Sequence, residues 1–488
     1  MPPPPRRRDV PWVVPSWSDP VARAATGLLG GPTGRYAVVG GRGLAGVAAV
    51  VVLLGTLNLA LGVWTKGHCL MKGWTAPDHF WRACYSDLPV VHVSSTLAER
   101  VLPWAADAPS TQPPLSGLVM WVLALVSPEV GPGVAAQQWI LGLWAVVCVG
   151  LLAAGVLAVV AMQPRRPWQA AHLALSPALT LLVLVSTDLL GVTLMLLALW
   201  AWRRDRPWGS GLLLGLALLV RPFPLLVLVA ILVVAWRERR VLPAVQTAVG
   251  TALGALAVLV PLATVEPRAL TPLQQWWGQG AGFGALQVVP QLLGTPLLPG
   301  VPVWIAVTGW LLAIGLGVWL GTRPGRAVGV VPLTAVMLLV VALTATSLSV
   351  QSGLWVLPLL ALSARPWWEH LVWALAEAVH FLSTWLHLAF SSDPGRGLPP
   401  ETYALVIVLR AAAWTWILWR IWEEDPAPRR RRAGAHRGGA IADGDHGAHG
   451  AQTDRPAGAG GAQATDLEPV GHPRAGSSRL EDDEPARG

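Results

Sequence analysis

Five runs carry no charged residue at all: Gly43–Trp64, Ala135–Met162, Val241–Thr264, Val301–Thr322 and Ala327–Ser347. Each is near or above the ~20 residues that a helix needs to cross a bilayer. A chain with several such runs has lipid as its solvent. Composition agrees, with 53% hydrophobic and 13% charged residues and a mean hydropathy of +0.52. The expected fold is all-α, a polytopic bundle of transmembrane helices. The first run is no cleavable leader, since it is long, begins about forty residues in and lacks a small-x-small cleavage pattern.

Four shorter apolar stretches lie between Gln169 and Trp236, and the charges at their turns alternate in kind. Asp188 comes first, then Arg203, Arg204 and Arg206, then Arg221, then Arg237, Arg239 and Arg240. Cytoplasmic loops gather arginine and lysine, so the two clusters mark the cytoplasmic face and leave Asp188 and Arg221 at the opposite one. Arg6–Arg8, Arg165, Arg166, Arg323, Arg326, Arg365 and Arg429–Arg432 fit the same side, with about twelve spans and both termini inside. Leu115–Ser127 spoils that parity if it crosses. At roughly 13 residues it is short for a span, and it reads as re-entrant or interfacial. The net charge of +8 is therefore explained by topology. Nucleic acid is not an expected partner, because the arginines are spaced between spans and form no continuous soluble face.

The ends differ from the middle. Residues 1–42 are rich in Pro, Arg and Gly, and residues 423–488 in Gly, Ala, Arg, Asp and Pro; neither can bury enough surface to fold alone. Both are expected to be cytoplasmic and disordered, flanking a membrane domain over 43–422. The tail runs from Arg429–Arg432 to Glu481–Glu484, a basic stretch that suits a membrane surface followed by an acidic one. His436, His446 and His449 are too irregularly spaced to make a metal site. Gly41-Arg-Gly43-Leu-Ala-Gly46 imitates a nucleotide-binding fingerprint but opens a membrane helix with no strand before it.

Two loops are large enough for chemistry. The first, about 64–114, holds the two lysines Lys66 and Lys72 with Asp78, His79, Arg82, Asp87, His92, Glu99 and Asp107. It also holds Cys69 and Cys84, which either pair in an oxidising compartment or remain two free thiols. Cys148 lies in a span, where it reads as a small core residue. The second loop, about 265–300, carries Trp276, Trp277, Gln279, Phe283 and Gln287 among glycines. Aromatic faces with amides suit sugar rings, and they suit an interfacial aromatic belt as well.

Five motifs recur in a familiar order: Cys84-Tyr-Ser-Asp87-Leu-Pro, Gln112-Pro-Pro-Leu-Ser-Gly117, Ser186-Thr-Asp188-Leu-Leu, Val220-Arg221-Pro-Phe-Pro224 and Ser349-Val-Gln351-Ser-Gly-Leu-Trp-Val-Leu-Pro358. With them the chain resembles the GT-C glycosyltransferases that use polyprenyl-phosphate sugars, near an actinobacterial mannosyltransferase branch. The resemblance covers about Gly43 to Trp422. It implies an outward-facing active site that moves a sugar, mannose first, from a lipid phosphate to a hydroxyl of an envelope glycolipid or polysaccharide. The implied partners are membrane lipid, the polyprenyl-phosphate donor and a glycan or glycolipid acceptor.

In that reading an acid of the first loop is the general base. Asp87 matches the position, with Asp78 second, and an ordinary loop or cap aspartate is the structural alternative. In the same reading Asp188, Arg221, Lys66, Arg82, Gln112, Trp276, Trp277 and Gln351 are the expected substrate contacts. Physically, a carboxylate can take the acceptor's proton, and a cation beside the departing phosphate lowers the barrier. The scheme needs no cofactor and no metal, although some relatives use a divalent ion. Asp188 otherwise reads as a helix cap or an arginine's partner, and Arg221 as a side chain snorkelling to head groups. Thr111-Gln112 stands where relatives often carry an acidic or aromatic pair, and Arg221 where they often carry lysine. Deeper in the membrane, Glu377 and Arg410 are expected to pair as a structural element, or else to mark a proton pathway. A transporter built on broken helices and a non-catalytic scaffold are the rival functions.

Overall fold

The computed structural model of the chain describes residues 41–423 apart from 106–109, 132, 273–279, 325–326 and 364. The N-terminal segment, the tail with its histidines, Asp107, Trp276, Trp277 and Gln279 lie outside the described residues. All of those described belong to the compact unit that ends at Arg429. Among them there are helices and turns but no β-strand, and the fold is a polytopic helical bundle.

Helix α1 (Gly41–Thr65) leads into a loop built from α2 (Gly67–Lys72), α3 (Asp78–Trp81), α4 (Asp87–Ser94) and a 3-10 turn at Thr96–Glu99. Two helices follow, α5 (Pro114–Val126) and α6 (Val134–Met162). The interrupted apolar stretches fold as short helices: α7 (Ala171–Ala174) with α8 (Pro177–Leu182), then α9 (Asp188–Arg203), α10 (Pro207–Leu218) and α11 (Pro224–Arg237). Proline opens α8, α10 and α11 at their first turns, where its missing N–H costs nothing. Next come α12 (Val241–Val265), α13 (Val289–Leu292), α14 (Val301–Thr322), α15 (Val330–Thr344) and α16 (Leu357–Ser363), the last preceded by a 3-10 segment at Val350–Trp355. Long helices α17 (Trp367–Phe390) and α18 (Pro400–Glu423) close the bundle.

Six of these, α1, α6, α12, α14, α17 and α18, are long and apolar enough to cross a bilayer. Ala327–Ser347 departs from expectation, being helical over only the 15 residues of α15. The reason lies at its C-terminal end, where the backbone serves other partners. Thr346 O accepts the Gly282 N–H at 2.7 Å and Leu348 O accepts Arg410 Nη1 at 2.7 Å, contacts that a continuing helix would use up.

Close approach of backbones sets the packing of α10 on α12. Gly211 and Gly215 face Gly250 and Gly254 at four-residue spacing, and a Cβ on Gly211, Gly215 or Gly254 would collide with the carbonyl of Thr247, Thr251 or Leu212 respectively. Such small-residue faces are how helices associate where lipid removes the hydrophobic drive between them. Helix α9 packs on α6 and α10, and α11 on α14 and α15. The Trp355 ring fills the space left by Gly191, beside Val220 and Phe223. That contact brings the first turn of α9, the turn before α11 and the 350–355 segment to one place.

Candidate functional site

The first loop is held from several sides. Cys69 and Cys84 form a disulfide with their Cα atoms 5.9 Å apart, which ties α2 to the segment entering α4. Trp74 Nε1 donates to Cys84 O at 2.9 Å. Lys66, directly after α1, is fully buried; its ammonium donates to Tyr85 O at 2.8 Å and lies 5.3 Å from the Phe381 ring centre. Phe80 and Tyr85 stack with Trp385 of α17 to form an aromatic wall, with centroids 6.0 and 4.8 Å from the Trp385 ring.

Asp87 is the first residue of α4, and its backbone N–H donates to Val185 O at 2.7 Å. The next residues on that strand of chain are Ser186, Thr187 and Asp188, so one hydrogen bond sets two carboxylates side by side. Asp188 does not cap α9. Its Oδ1 accepts Arg221 Nε at 2.9 Å, while Oδ2 is buried with no partner among the described residues. Nε is the one donor of the Arg221 guanidinium with a bond among the described residues. Thr187 Oγ1 donates to Ser116 Oγ at 2.8 Å, and Leu115 N to Leu219 O at 3.2 Å. Four separate stretches of the sequence thereby converge.

Electrostatics follows from that convergence. Burial pushes the Asp87 carboxyl up to about 6; Arg221, a hydrogen bond from Tyr85 and Lys66 pull it down, and Asp188 adds to the rise. Burial brings the Lys66 ammonium down to about 7 against the opposing charge of Asp87. The Tyr85 hydroxyl is raised by burial and then by Asp87, so it stays a donor to the carboxylate. A carboxylate poised near neutrality next to a guanidinium with unused donors can accept a proton and bind an anion in one place.

The remaining expected residues are placed as follows. Gln112 is partly buried; its N–H donates to Ser110 Oγ at 3.3 Å and its carbonyl accepts Trp104 Nε1 at 3.2 Å. Gln351 is buried in the 3-10 segment. Arg82 stands apart, exposed after α3. Asp78 is paired with His68 Nε2 at 2.5 Å. Arg410 Nε and Nη2 meet the two oxygens of Glu377 at 3.0 and 3.1 Å, and both side chains are buried. The same guanidinium donates to the carbonyls of Leu348 and Ser349, at 2.7 and 3.2 Å, and so holds the backbone that carries Gln351. Among the described residues no group of three or more His, Cys, Asp or Glu is placed to hold a metal ion.

Tyr85 and the Ser116–Thr187 bridge escape a reading of the sequence. All three residues lie inside the quoted motifs, yet a hydroxyl reaching a carboxylate two positions on, or a contact across 71 residues, leaves no mark in spacing.

Residues 111–349 match the model of glycosyltransferase family 87. The protein is a membrane glycosyltransferase. The matched segment contains Gln112, Asp188 and Arg221; Lys66 and Asp87 precede it and Gln351 lies two residues past its end. The match supports the enzyme reading over the transporter. A search of curated proteins and a search of solved structures each gave no match.

Proposed function

We propose that this glycosyltransferase moves a sugar, mannose first, from a polyprenyl-phosphate carrier to a hydroxyl of a cell-envelope glycolipid or polysaccharide at the outer face of the membrane. The observation that carries the reading is the gathering of Asp87, Lys66 and the Arg221–Asp188 pair at the meeting point of four segments. Asp87 is the general base. As the acceptor oxygen bonds to the anomeric carbon, its proton passes to the Asp87 carboxylate. The bond from that carbon to the phosphate oxygen breaks, and the electron pair leaves with the lipid phosphate. Arg221 faces the charge that develops there, with Asp188 fixing the guanidinium through Nε and leaving both Nη groups to the phosphate. Arg221 first, then the Tyr85 hydroxyl and Lys66, favour the ionised carboxylate. Gln112, Gln351 and the Trp276–Trp277 loop serve the sugars, and Arg82 remains a contact for a bound carrier at the loop surface. The scheme draws on no cofactor.

Topology supports the assignment to the outer face. Counting α7 with α8, and the 350–355 segment with α16, as one crossing each, the helices make twelve crossings with α5 left interfacial. With the arginine-rich turns taken as cytoplasmic, that count is consistent with both termini inside and the Asp87 loop outside.

The test compares membranes carrying wild-type protein or Asp87→Ala at matched expression. They are incubated with radiolabelled polyprenyl phosphate mannose and total envelope lipids. A labelled product that wild type makes and the variant does not supports Asp87 as base. Undiminished transfer by the variant refutes that role, and no transfer by wild type counts against polyprenyl phosphate mannose as donor or these lipids as acceptor.

A further inference from the structure

An open cleft of about 540 Å³ lies where the ends of α11, α12 and α14 meet, lined by Trp236, Arg237, Arg239, Val241 and Thr322. Arg237 is partly committed, donating from Nη1 to Val328 O at 2.8 Å and to Gly321 O at 3.4 Å. Its Nη2 lies 3.9 Å from Glu238, the acid of the turn. Arg239 has no such ties. It is exposed, sits at φ +58° in the left-handed region that costs a non-glycine residue energy, and has no ion pair or side-chain hydrogen bond among the described residues. Arg240 in the same turn is already occupied, bonded to Asp205 and stacked over Trp202.

The other side of the cleft is apolar and does not stop at its rim. Trp236 is 70% and Val241 54% exposed, and exposed Val245 and Trp319 continue along α12 and α14. Helix α11, which packs on both of them, carries Leu225, Val229 and Leu232, partly buried at the helical spacing that continues to Trp236. Positive charge at the mouth with an apolar trough behind it matches a molecule with an anionic head and hydrocarbon chains. A free phosphate would use the arginines and leave the trough without a role.

We propose that the cleft binds an anionic phospholipid, its phosphate on Arg239 and Arg237 and its acyl chains along the trough. The site is separate from the one around Asp87. Helix α11 has 14 residues and a rise of 1.5 Å per residue, so its arginine end lies about 20 Å from Arg221.

The full-length protein in detergent, titrated with phosphatidylglycerol, phosphatidylcholine or inorganic phosphate while its unfolding temperature is followed, tests the proposal. Phosphatidylglycerol should raise the unfolding temperature of wild type in a saturable way, and the other two should not. Arg239→Gln, which removes a side chain with no partner of its own, should leave the lipid-free unfolding temperature in place. It should weaken phosphatidylglycerol about fivefold, the share of one basic residue at an anionic lipid surface. Asp87→Ala should bind as wild type does. An unchanged titration in Arg239→Gln would overturn the proposal, as would an equal effect of phosphatidylcholine or full reproduction of the shift by inorganic phosphate.

Discussion

At the scale of single residues the candidate site is a problem in charge balance. In the proposed transfer Asp87 must be ionised to take a proton, and with its carboxyl near 6 that form is populated as pH rises through about 6. Lys66 is the last of the groups that favour that form, and its ammonium, near 7, loses its charge where the carboxyl is already ionised. Transfer activity is therefore expected to rise with pH through about 6 and to level off above it. Tyr85→Phe removes a hydrogen bond that favours the carboxylate, so the rise should move to higher pH by on the order of one unit. Lys66→Met should move it the same way and by less. A pH profile of the three proteins in labelled-product assays decides the matter, and a rise that stays where it is in both variants would remove both residues from the balance. Asp87 and Arg221 are marked in the sequence by charge within an apolar chain, but Tyr85 is not. A phenol beside a motif aspartate is ordinary until the fold turns it inward.

At the scale of elements, the buried pair between α17 and α18 has more to do than cancel charge. Arg410 bonds carbonyls of the segment leading to Gln351, Trp414 Nε1 donates to Glu377 Oε1 at 2.5 Å, and Gly353 comes close enough to Glu377 that a Cβ would have to displace the carboxylate. Glu377→Ala strands a buried guanidinium and should cost ~3–5 kcal/mol, read as lower membrane expression and a lower unfolding temperature. Glu377→Ala with Arg410→Ala should recover part of the loss but leave the 348–353 segment unanchored. No recovery would count against the two acting as a pair. The sequence carries the two charges openly, because a charge in a span needs a partner. It does not carry the shortening of α15, which depends on carbonyls claimed by Gly282 and Arg410 from elsewhere in the chain.

For the whole molecule, the bilayer makes the architecture legible and the site only partly so. Long apolar runs and arginine-rich turns are local signals, and four of the five uncharged runs survive in the fold as α1, α6, α12 and α14. Convergence of Ser116, Val185, Asp188 and Arg221 is not local and has no periodicity to betray it. Orientation can be measured directly. Single cysteines in place of Asp205 and Glu238, in a background lacking Cys148, should react with an impermeant maleimide only from the cytoplasmic side. Cysteines in place of Thr295 and Asp393 should react only from outside. Labelling of all four from one side would refute the twelve-crossing topology.

The contact between α10 and α12 bears on how such a protein can change over evolutionary time. Where Gly211, Gly215 and Gly254 meet carbonyl groups there is no room for one added carbon, while Leu212, Leu253 and Leu256 of the same helices face outward, 42%, 49% and 48% exposed. In sequences descended from a common ancestor with this one, the lipid-facing leucines should drift freely among apolar residues. The three glycine columns should stay fixed, or be exchanged only together with the residue across the contact, so that inheritance records the spacing of two backbones more faithfully than it records hydrophobicity.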